Sequence, residues 1–318
     1  MNDIFRYSLI RLLQGIGIII GVSVFLFVML RSMPVDPIAL MDSPEYQLTQ
    51  EEKDAITQAW GFDQPIFIQY FAWVGGILRG DFGISLRYRY DVLELIKPYI
   101  PFTLNLSLWT MFFIGLIAIP TGLALAYHHN KLPDRAFLFF SIVINAIPSF
   151  WLGFILIYLL GFRLGIFPIS YEGGFMSWVL PVFTNVFLGF SGLARFVRSE
   201  VLNTNHERFV ATAYSKGLTK KRVMTGHVLR NALIPIFIMF ITNLPFIISG
   251  SVIIEMVFGL PGMGMLLLNC TQSLDFPVVQ TLVLFISVLV VMCNVLGDIA
   301  TAVLDPRARL SFKRRAAA

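Results

Sequence analysis

Long apolar stretches alternate with short polar ones along most of the chain. Six of these apolar runs lack charged side chains and are long enough to cross a bilayer, which takes about 20 helical residues. The pattern therefore predicts an all-α membrane protein with six transmembrane helices. The predicted spans cover residues 12–30, 100–127, 136–162, 173–194, 231–254 and 276–297.

A seventh apolar run, residues 256–274, competes with these six. Gly259, Pro261, Gly262 and Gly264 fall within it, and this density of glycine and proline argues against a continuous helix facing lipid. The basic residues at both ends of the chain favour placing both termini on the same side of the membrane, which requires an even number of spans. We therefore expect 256–274 to form a connection outside the cytosol.

Residues 31–99 form the only long polar segment and hold most of the acidic side chains. We expect a small extracytoplasmic domain here, between spans 1 and 2. Thr49 and Glu52 have capping-box spacing for a short helix, and Pro65 suits the first turn of another. A stripe along this second helix favours a packing face over a ligand site; it comprises Ile66, Tyr70, Trp73 and Ile77.

The distribution of charge predicts the orientation. Of the 318 residues, 57% are hydrophobic and 14% charged, and the formal net charge is +5. The predicted spans place 17 of the 24 lysines and arginines on one side, as the positive-inside rule requires of the cytosolic side. This asymmetry accounts for the positive charge without a nucleic-acid partner. We divide the chain into a cytosolic end with span 1 (1–30), the extracytoplasmic segment (31–99), a membrane core (100–303) and a basic cytosolic tail (304–318).

The loop at 200–235 is a charged segment between two predicted spans. Small residues at 211–213 lie on a predicted helix that Gly217 can end, because glycine adopts positive φ without a Cβ clash. Thr219 can then N-cap a second short helix. Two short helices that share a surface of small side chains suit docking into another protein's groove, although an ordinary basic membrane loop has the same composition. Its basic residues are Arg208, Lys216, Lys220, Lys221, Arg222 and Arg230.

The run Phe209-Val-Ala-Thr-Ala-Tyr-Ser-Lys-Gly217 resembles the EAA loop of binding-protein-dependent ABC importer permeases, in their dipeptide, oligopeptide and nickel branch. Ala211 takes the place of the motif's acidic residue, and Thr212 that of its first alanine. Ala213 and Gly217 match the pattern. The resemblance extends from end to end, and Phe258-Gly-Leu-Pro-Gly262 is similar to the outer connection between the last two spans of these permeases.

The resemblance implies a type I permease fold in the bacterial cytoplasmic (inner) membrane. It implies four kinds of partner: a second permease subunit, which we expect to be a paralogue in a heterodimer, two ABC ATPase subunits, an extracytoplasmic substrate-binding protein and the lipid bilayer. The chain would form half of the pathway for di- or oligopeptides, with nickel or another metal chelate, or glutathione, as alternatives. The implied ATPase-coupling residues are Ala211, Thr212, Ala213, Gly217, Leu218 and Arg222.

Candidate chemistry within the chain itself is sparse. No G-x-x-x-x-G-K-[ST] phosphate loop occurs, so we expect ATP and Mg to be bound by the partner ATPases and no cofactor by this chain. The two cysteines and four histidines have no spacing typical of a disulfide framework or metal site. No nucleophile–base pair indicates an enzyme. A membrane-embedded hydrolase would need such a pair, whereas a channel or secondary transporter would work without the partners.

Polar side chains within or near the apolar runs are candidates for the pathway, since an intramembrane polar group is costly and commonly functional. Pairing between helices is the alternative role, and for Asp298, near the cytosolic end of the last span, it is at least as well supported by the sequence. These candidates are Asn145, Asn185, Asn243, Asn294 and Asp298.

Overall fold

A computed structural model of the chain describes residues 2–33, 49–51, 57 and 63–304. Within these ranges the chain is helical, and its only β-type pairing is an isolated bridge between Ile84 and Asp91. The basic tail, and the capping box that includes Glu52, lie outside the described residues. The helices are α1 (Asn2–Arg31), α2 (Ile66–Leu78), α3 (Val92–Ile96), α4 (Ile100–Tyr127), α5 (Leu132–Asn145), α6 (Ser149–Leu156, continued by a π-helix over Ile157–Arg163), α7 (Met176–Asn205), α8 (Arg208–Ser215), α9 (Lys220–Val223, continued by a π-helix over Met224–Val228), α10 (Leu229–Thr242), α11 (Leu244–Phe258), α12 (Met263–Gln272) and α13 (Phe276–Leu304).

Five described stretches are long and apolar enough to cross a membrane, and two bent helix pairs bring the number to seven if each pair is one span. The apolar runs thus predicted the all-α architecture correctly. The count of six falls within this range and stays a prediction. The five stretches are Phe5–Arg31, Val92–Tyr127, Met176–Asn205, Lys220–Ser249 and Phe276–Leu304.

The third predicted span, residues 136–162, is interrupted in the structure. Helix α5 ends at Asn145 and α6 begins at Ser149, with a bend of 96° between the two helices. Pro148 at the N-cap of α6 has ψ 138°; it lacks a backbone N–H and disfavours helical geometry in the residue before it. Hydropathy alone does not register this break, because the residues around it are as apolar as the helices.

The apolar run 256–274 also bends, as its glycines predicted. Helix α11 ends at Phe258, followed by Gly259 in the left-handed region with φ +62°, and the chain turns by 75° into α12. Glu255, fully buried, fixes this turn by accepting the backbone N–H of Gly264 at 2.7 Å. A Cβ at Gly262 would overlap the Glu255 carboxylate, which explains the glycine at this position.

The main core lies where α4 packs against α7. Its buried side chains include Leu106 and Ala118 of α4, Ala194 and Val197 of α7, Ala232 of α10 and Ile254 of α11. At Gly122 the two helices are so close that an added Cβ would lie 2.5 Å from the Val197 Cβ and 2.6 Å from the Ala194 oxygen. Gly189 of α7 likewise lies against Ile114 of α4. The earlier residue of α4 thus contacts the earlier residue of α7, so the two helices run parallel.

A second core joins α1, α3, α12 and α13. Its buried side chains include Leu26, Ile96, Leu266 and Leu282. The fully buried carboxylate of Asp275 holds the turn before α3 against the start of α13. It accepts the Ser85 hydroxyl and the backbone N–H groups of Leu86 at 3.0 Å and Arg87 at 3.3 Å.

Helix α2 packs on α1 through Tyr70 and Trp73, which confirms the packing interpretation for these two residues of the predicted stripe, whereas Ile66 is exposed. The hydroxyl groups of Tyr70 and Ser23 lie 2.8 Å apart. The Phe27 ring lies 5.5 Å from each of the Tyr70 and Trp73 rings.

Candidate functional site: the basic loop and the polar cavity

The basic loop is shorter than its predicted extent of 200–235. Helix α7 continues to Asn205, and α10 already begins at Leu229. The segment between them, residues 206–228, consists of α8, a turn, and α9 with its π-helical continuation. We call residues 206–228 the basic loop. Helix α9 runs through its π-helical continuation into α10, and His206 and Glu207 alone separate α7 from α8.

Gly217 adopts the left-handed conformation that its position predicted, with φ +78°. Its N–H donates to the Tyr214 carbonyl at 2.9 Å, and the Leu218 N–H donates to the Ala213 carbonyl at 3.4 Å. These two bonds form a Schellman motif, which ends α8. Thr219 occupies the N-cap of α9 as predicted, but its side chain makes no capping hydrogen bond.

The expectation that Ala213 lies on an exposed docking surface is wrong. Ala213 is 6% exposed and belongs to the main core together with Val210 and Val223. The exposed side of the loop instead carries Ala211, Thr212, Gly217 and Arg222, with Leu218 half-buried.

A contact between Lys220 and Tyr127 joins the basic loop to the end of α4. The Lys220 ammonium donates to the Tyr127 carbonyl at 2.9 Å and lies 4.6 Å from the centre of the Tyr127 ring. The carbonyl at a helix C-terminus carries partial negative charge, so a cation is favourable there. The loop is thus attached to three long helices: α4, α7 and α10.

An ion pair next to this contact joins α5 to α7. The Arg198 guanidinium donates two hydrogen bonds to the Asp134 carboxylate, whose side chain is 1% exposed against 15% for Arg198. Asp134 also accepts the backbone N–H of Asn130 at 2.8 Å, and the His129 ring lies 3.0 Å from Arg198. No sequence pattern predicts this pair, because charged residues at the ends of membrane spans are common.

The predicted intramembrane polar residues lie in separate parts of the structure. Asn145 hydrogen bonds to the Ser141 carbonyl at 2.7 Å and to the Ser191 hydroxyl at 3.2 Å, which links α5 to α7. Asp298 of α13 forms an ion pair with Arg11 of α1 at 3.2 Å. Asn294 lies exposed on α13. None of these three lines the cavity described next.

Asn185 and Asn243 lie together in a cavity of about 480 Å³ between α4, α7, α10 and α11. We call it the polar cavity. Thr110 and Arg195 contribute its other polar side chains, and Ile114 and Phe240 belong to its apolar wall. Asn185 lies nine residues into α7 and Thr110 ten residues into α4, about 14–15 Å from the start of each helix and near mid-depth of a bilayer.

Sequence reasoning missed Thr110 and Arg195. A threonine in an apolar helix is ordinary, and Arg195 follows directly after the predicted end of a span, where a cation is expected. Their shared position on the cavity wall depends on the parallel packing of α4 and α7. The sequence contains no local pattern that specifies this packing.

Comparison with protein families places the chain among transport components. Residues 118–310 match the family model described as "Binding-protein-dependent transport system inner membrane component". Residues 4–107 match the model of the N-terminal part of such membrane components. The two matches together cover most of the membrane core, including the basic loop. Residues 108–117, which contribute Thr110 and Ile114 to the polar cavity, lie between the two matched ranges.

Individual relatives match over almost the whole chain. The oligopeptide transport system permease protein AppB of Bacillus subtilis (strain 168) is 34% identical over 315 residues, covering 95% of this chain and 98% of the relative. The dipeptide transport system permease protein DppB of Lactococcus lactis subsp. cremoris is 33% identical over 285 residues, covering 89% of this chain and 92% of the relative. The glutathione transport system permease protein GsiC of Salmonella choleraesuis is 32% identical over 304 residues, covering 96% of this chain and 99% of the relative.

Proposed function

Because this chain belongs to the family of binding-protein-dependent transport system inner membrane components, we propose that it forms half of the translocation pathway of an ATP-driven peptide importer. It is a multi-pass inner-membrane permease subunit and not an enzyme. The observation that carries the peptide assignment is its similarity, over nearly its full length, to relatives named as oligopeptide and dipeptide permeases.

The proposed complex contains two permease subunits, this chain and a paralogue, with two ABC ATPases and an extracytoplasmic binding protein. ATP and Mg bind to the ATPases, and closure of the ATPases moves the basic loop. The supporting observation is the attachment of the loop to α4 through Lys220 and its continuity with α7 and α10. ATP binding must favour one arrangement of these helices over another for transport to be driven.

The proposed orientation places both termini and the basic loop in the cytosol, with residues 31–99 outside. It is supported by the excess of lysine and arginine on the loop side of six spans. In this orientation Tyr127, Asp134 and Lys220 all lie at the cytosolic ends of their helices. The polar cavity, with Asn185 and Asn243, then lies on the proposed pathway.

Transport by the reconstituted complex tests this function. Vesicles that contain this chain, its partner permease, the ATPases and the binding protein should import alanine peptides of two to five residues when ATP is supplied. The chain purified alone should hydrolyse no ATP. Import without the ATPases would contradict the proposal and favour a channel or secondary transporter.

Glutathione is a second candidate substrate, favoured by the relative named as a glutathione permease. The same vesicles distinguish the candidates if uptake of labelled alanine peptides, glutathione and a nickel chelate is compared. Saturable ATP-dependent uptake of only one class assigns the substrate.

The Schellman turn provides a test of coupling. Gly217→Val should cost about 1–2 kcal/mol locally, because a β-branched residue is unfavourable at a φ of +78°. This is too little to unfold the protein but enough to reorient α8 relative to α9. We expect normal amounts of complex in the membrane and at least a severalfold loss of uptake per ATP hydrolysed.

Gly226 provides the matched control, since a Cβ there would meet nothing within 4 Å and its φ is not positive. Gly226→Val should leave the uptake per ATP unchanged. Gly217→Asn should retain more coupling than Gly217→Val, because asparagine tolerates the left-handed conformation. Equal coupling in all three variants and the wild type would show that the turn does not transmit ATPase closure.

A further inference from the structure

We propose that the polar cavity binds the backbone of the transported peptide, with Arg195 holding its terminal carboxylate and Asn185 and Asn243 hydrogen bonding to its peptide groups. This inference rests on the peptide transport proposed above. It adds to that proposal a binding site for the peptide on this chain.

Two polar atoms at the cavity are buried without a hydrogen-bond partner among the described residues. They are the hydroxyl oxygen of Thr110 and the amide nitrogen of Asn185. Thr110 is only 1% exposed, so bulk water does not substitute for the missing partner. Buried polar groups are normally paired, and unpaired ones deep in a membrane protein point to a ligand that completes them.

Arg195 supplies an unpaired cation to the same cavity. Arg195 is exposed at the wall of the cavity, and its guanidinium has no ion-pair or hydrogen-bond partner in the described part of the chain, unlike that of Arg198 one turn further along α7. Of the described residues that line the cavity, none is acidic. A guanidinium presents a planar set of donors that matches the two oxygens of a carboxylate. The free carboxylate of a peptide fits this requirement.

The dimensions of the cavity fit a short extended peptide. Asn185 and Arg195 are ten residues apart on one helix, which places their backbones about 15 Å apart. An extended chain advances about 3.3–3.6 Å per residue, so roughly four residues bridge the distance from Asn185 to Arg195. The volume of about 480 Å³ lies within the range of small-ligand sites.

The chemistry of the lining favours recognition of the main chain over side chains. A primary amide offers both donors and an acceptor, the complement of a peptide group's C=O and N–H. The remaining wall, with Ile114 and Phe240, is apolar and carries no charge that would select one side chain. A site of this kind holds peptides of different sequence by the groups that all of them share.

A comparison of two peptides in the complete reconstituted complex tests the role of Arg195. The probes are tetra-alanine and tetra-alanine amide, which differ in the charge of the terminal carboxyl group. We expect the ratio of acid to amide uptake to fall about tenfold or more in Arg195→Gln, since a charge-assisted hydrogen bond is lost for the acid only. Arg195→Lys should retain part of the preference, because it keeps the charge but loses the planar fork.

The binding protein's own preference cancels in this comparison, because it is the same for every variant. Arg135→Gln is the control: Arg135 is an exposed cation on α5 outside the cavity, and the ratio should equal that of the wild type. An unchanged ratio in both Arg195 variants, with normal import by the wild type, overturns the site and leaves the peptide function standing. A wild-type complex that imports no alanine peptide overturns the peptide function, and the site with it.

Labelling of a thiol in the cavity tests the site independently, including the case in which the complex with the Arg195→Gln variant does not assemble. Asn243→Cys, in a background with Cys270→Ala and Cys293→Ala, places a single reactive thiol in the cavity. Tetra-alanine delivered during ATP turnover should slow the reaction of this thiol with a polar maleimide severalfold. Identical reaction rates with and without peptide would exclude occupancy of the cavity.

Discussion

Replacement of Asp134 with alanine is expected to lower the free energy of unfolding by about 3–5 kcal/mol, because it leaves a largely buried guanidinium without its counter-ion. The Asp134 side chain is 1% exposed and that of Arg198 15%, so solvent stabilises neither charge when its partner is removed. Unfolding of the purified chain in mixed micelles, followed by circular dichroism, measures the change.

Glu94→Ala is the matched control for this change. Glu94 pairs with Lys97, but these side chains are 50% and 53% exposed, and exposed pairs contribute about 0–1 kcal/mol. The double variant Asp134→Leu/Arg198→Met should recover most of the lost stability, since it removes both charges together. If Asp134→Ala cost no more than Glu94→Ala, the α5–α7 ion pair would have no special role in stability.

Gly122→Leu is expected to destabilise the chain by about 3 kcal/mol or more, at the upper end of the cost of overpacking. Its Cβ would lie 2.6 Å from the Ala194 carbonyl oxygen, and a backbone atom cannot move aside as the end of a flexible side chain can. Helices α4 and α7 would have to separate. The abundance of the folded chain in membranes, together with its midpoint of unfolding, measures the effect.

Gly21→Leu on α1 is the control, because a Cβ at Gly21 would meet nothing within 4 Å. It introduces the same side chain into another membrane helix and should leave the unfolding midpoint nearly unchanged. Equal losses from the two substitutions would mean that leucine is poorly tolerated for a reason unrelated to the α4–α7 contact.

The sequence predicted the elements whose signals are local. The uncharged run 100–127 coincides with α4, since length and hydropathy decide whether a helix can span a membrane. Gly217 predicted its own left-handed turn, because few other residues adopt positive φ at low cost. The size of the bend between α5 and α6, 96°, was not predictable in this way, because it depends on backbone geometry around Pro148 within a uniformly apolar stretch.

The candidate site was predictable only in part, because burial depends on tertiary packing. A run of small residues suits an exposed docking surface and a tight core contact equally well, and Ala213 proved to lie in the core. Asn185 and Asn243 were selected as polar residues in apolar surroundings, yet their common cavity follows from how α7 and α10 pack. Arg195 looked like an ordinary cytosolic charge until the helix packing placed it on the cavity wall.

The hydrogen bonds that Asp275 accepts from the turn at 85–87 have a consequence for folding during synthesis. Ser85 precedes its acceptor by 190 residues, and a ribosome adds about 5–20 residues each second. For about 10–40 s after the turn at 85–87 has been made, its N–H groups lack the carboxylate that later binds them. The turn at 85–87 thus gains its last hydrogen bonds only after synthesis has reached Asp275, directly before the last helix.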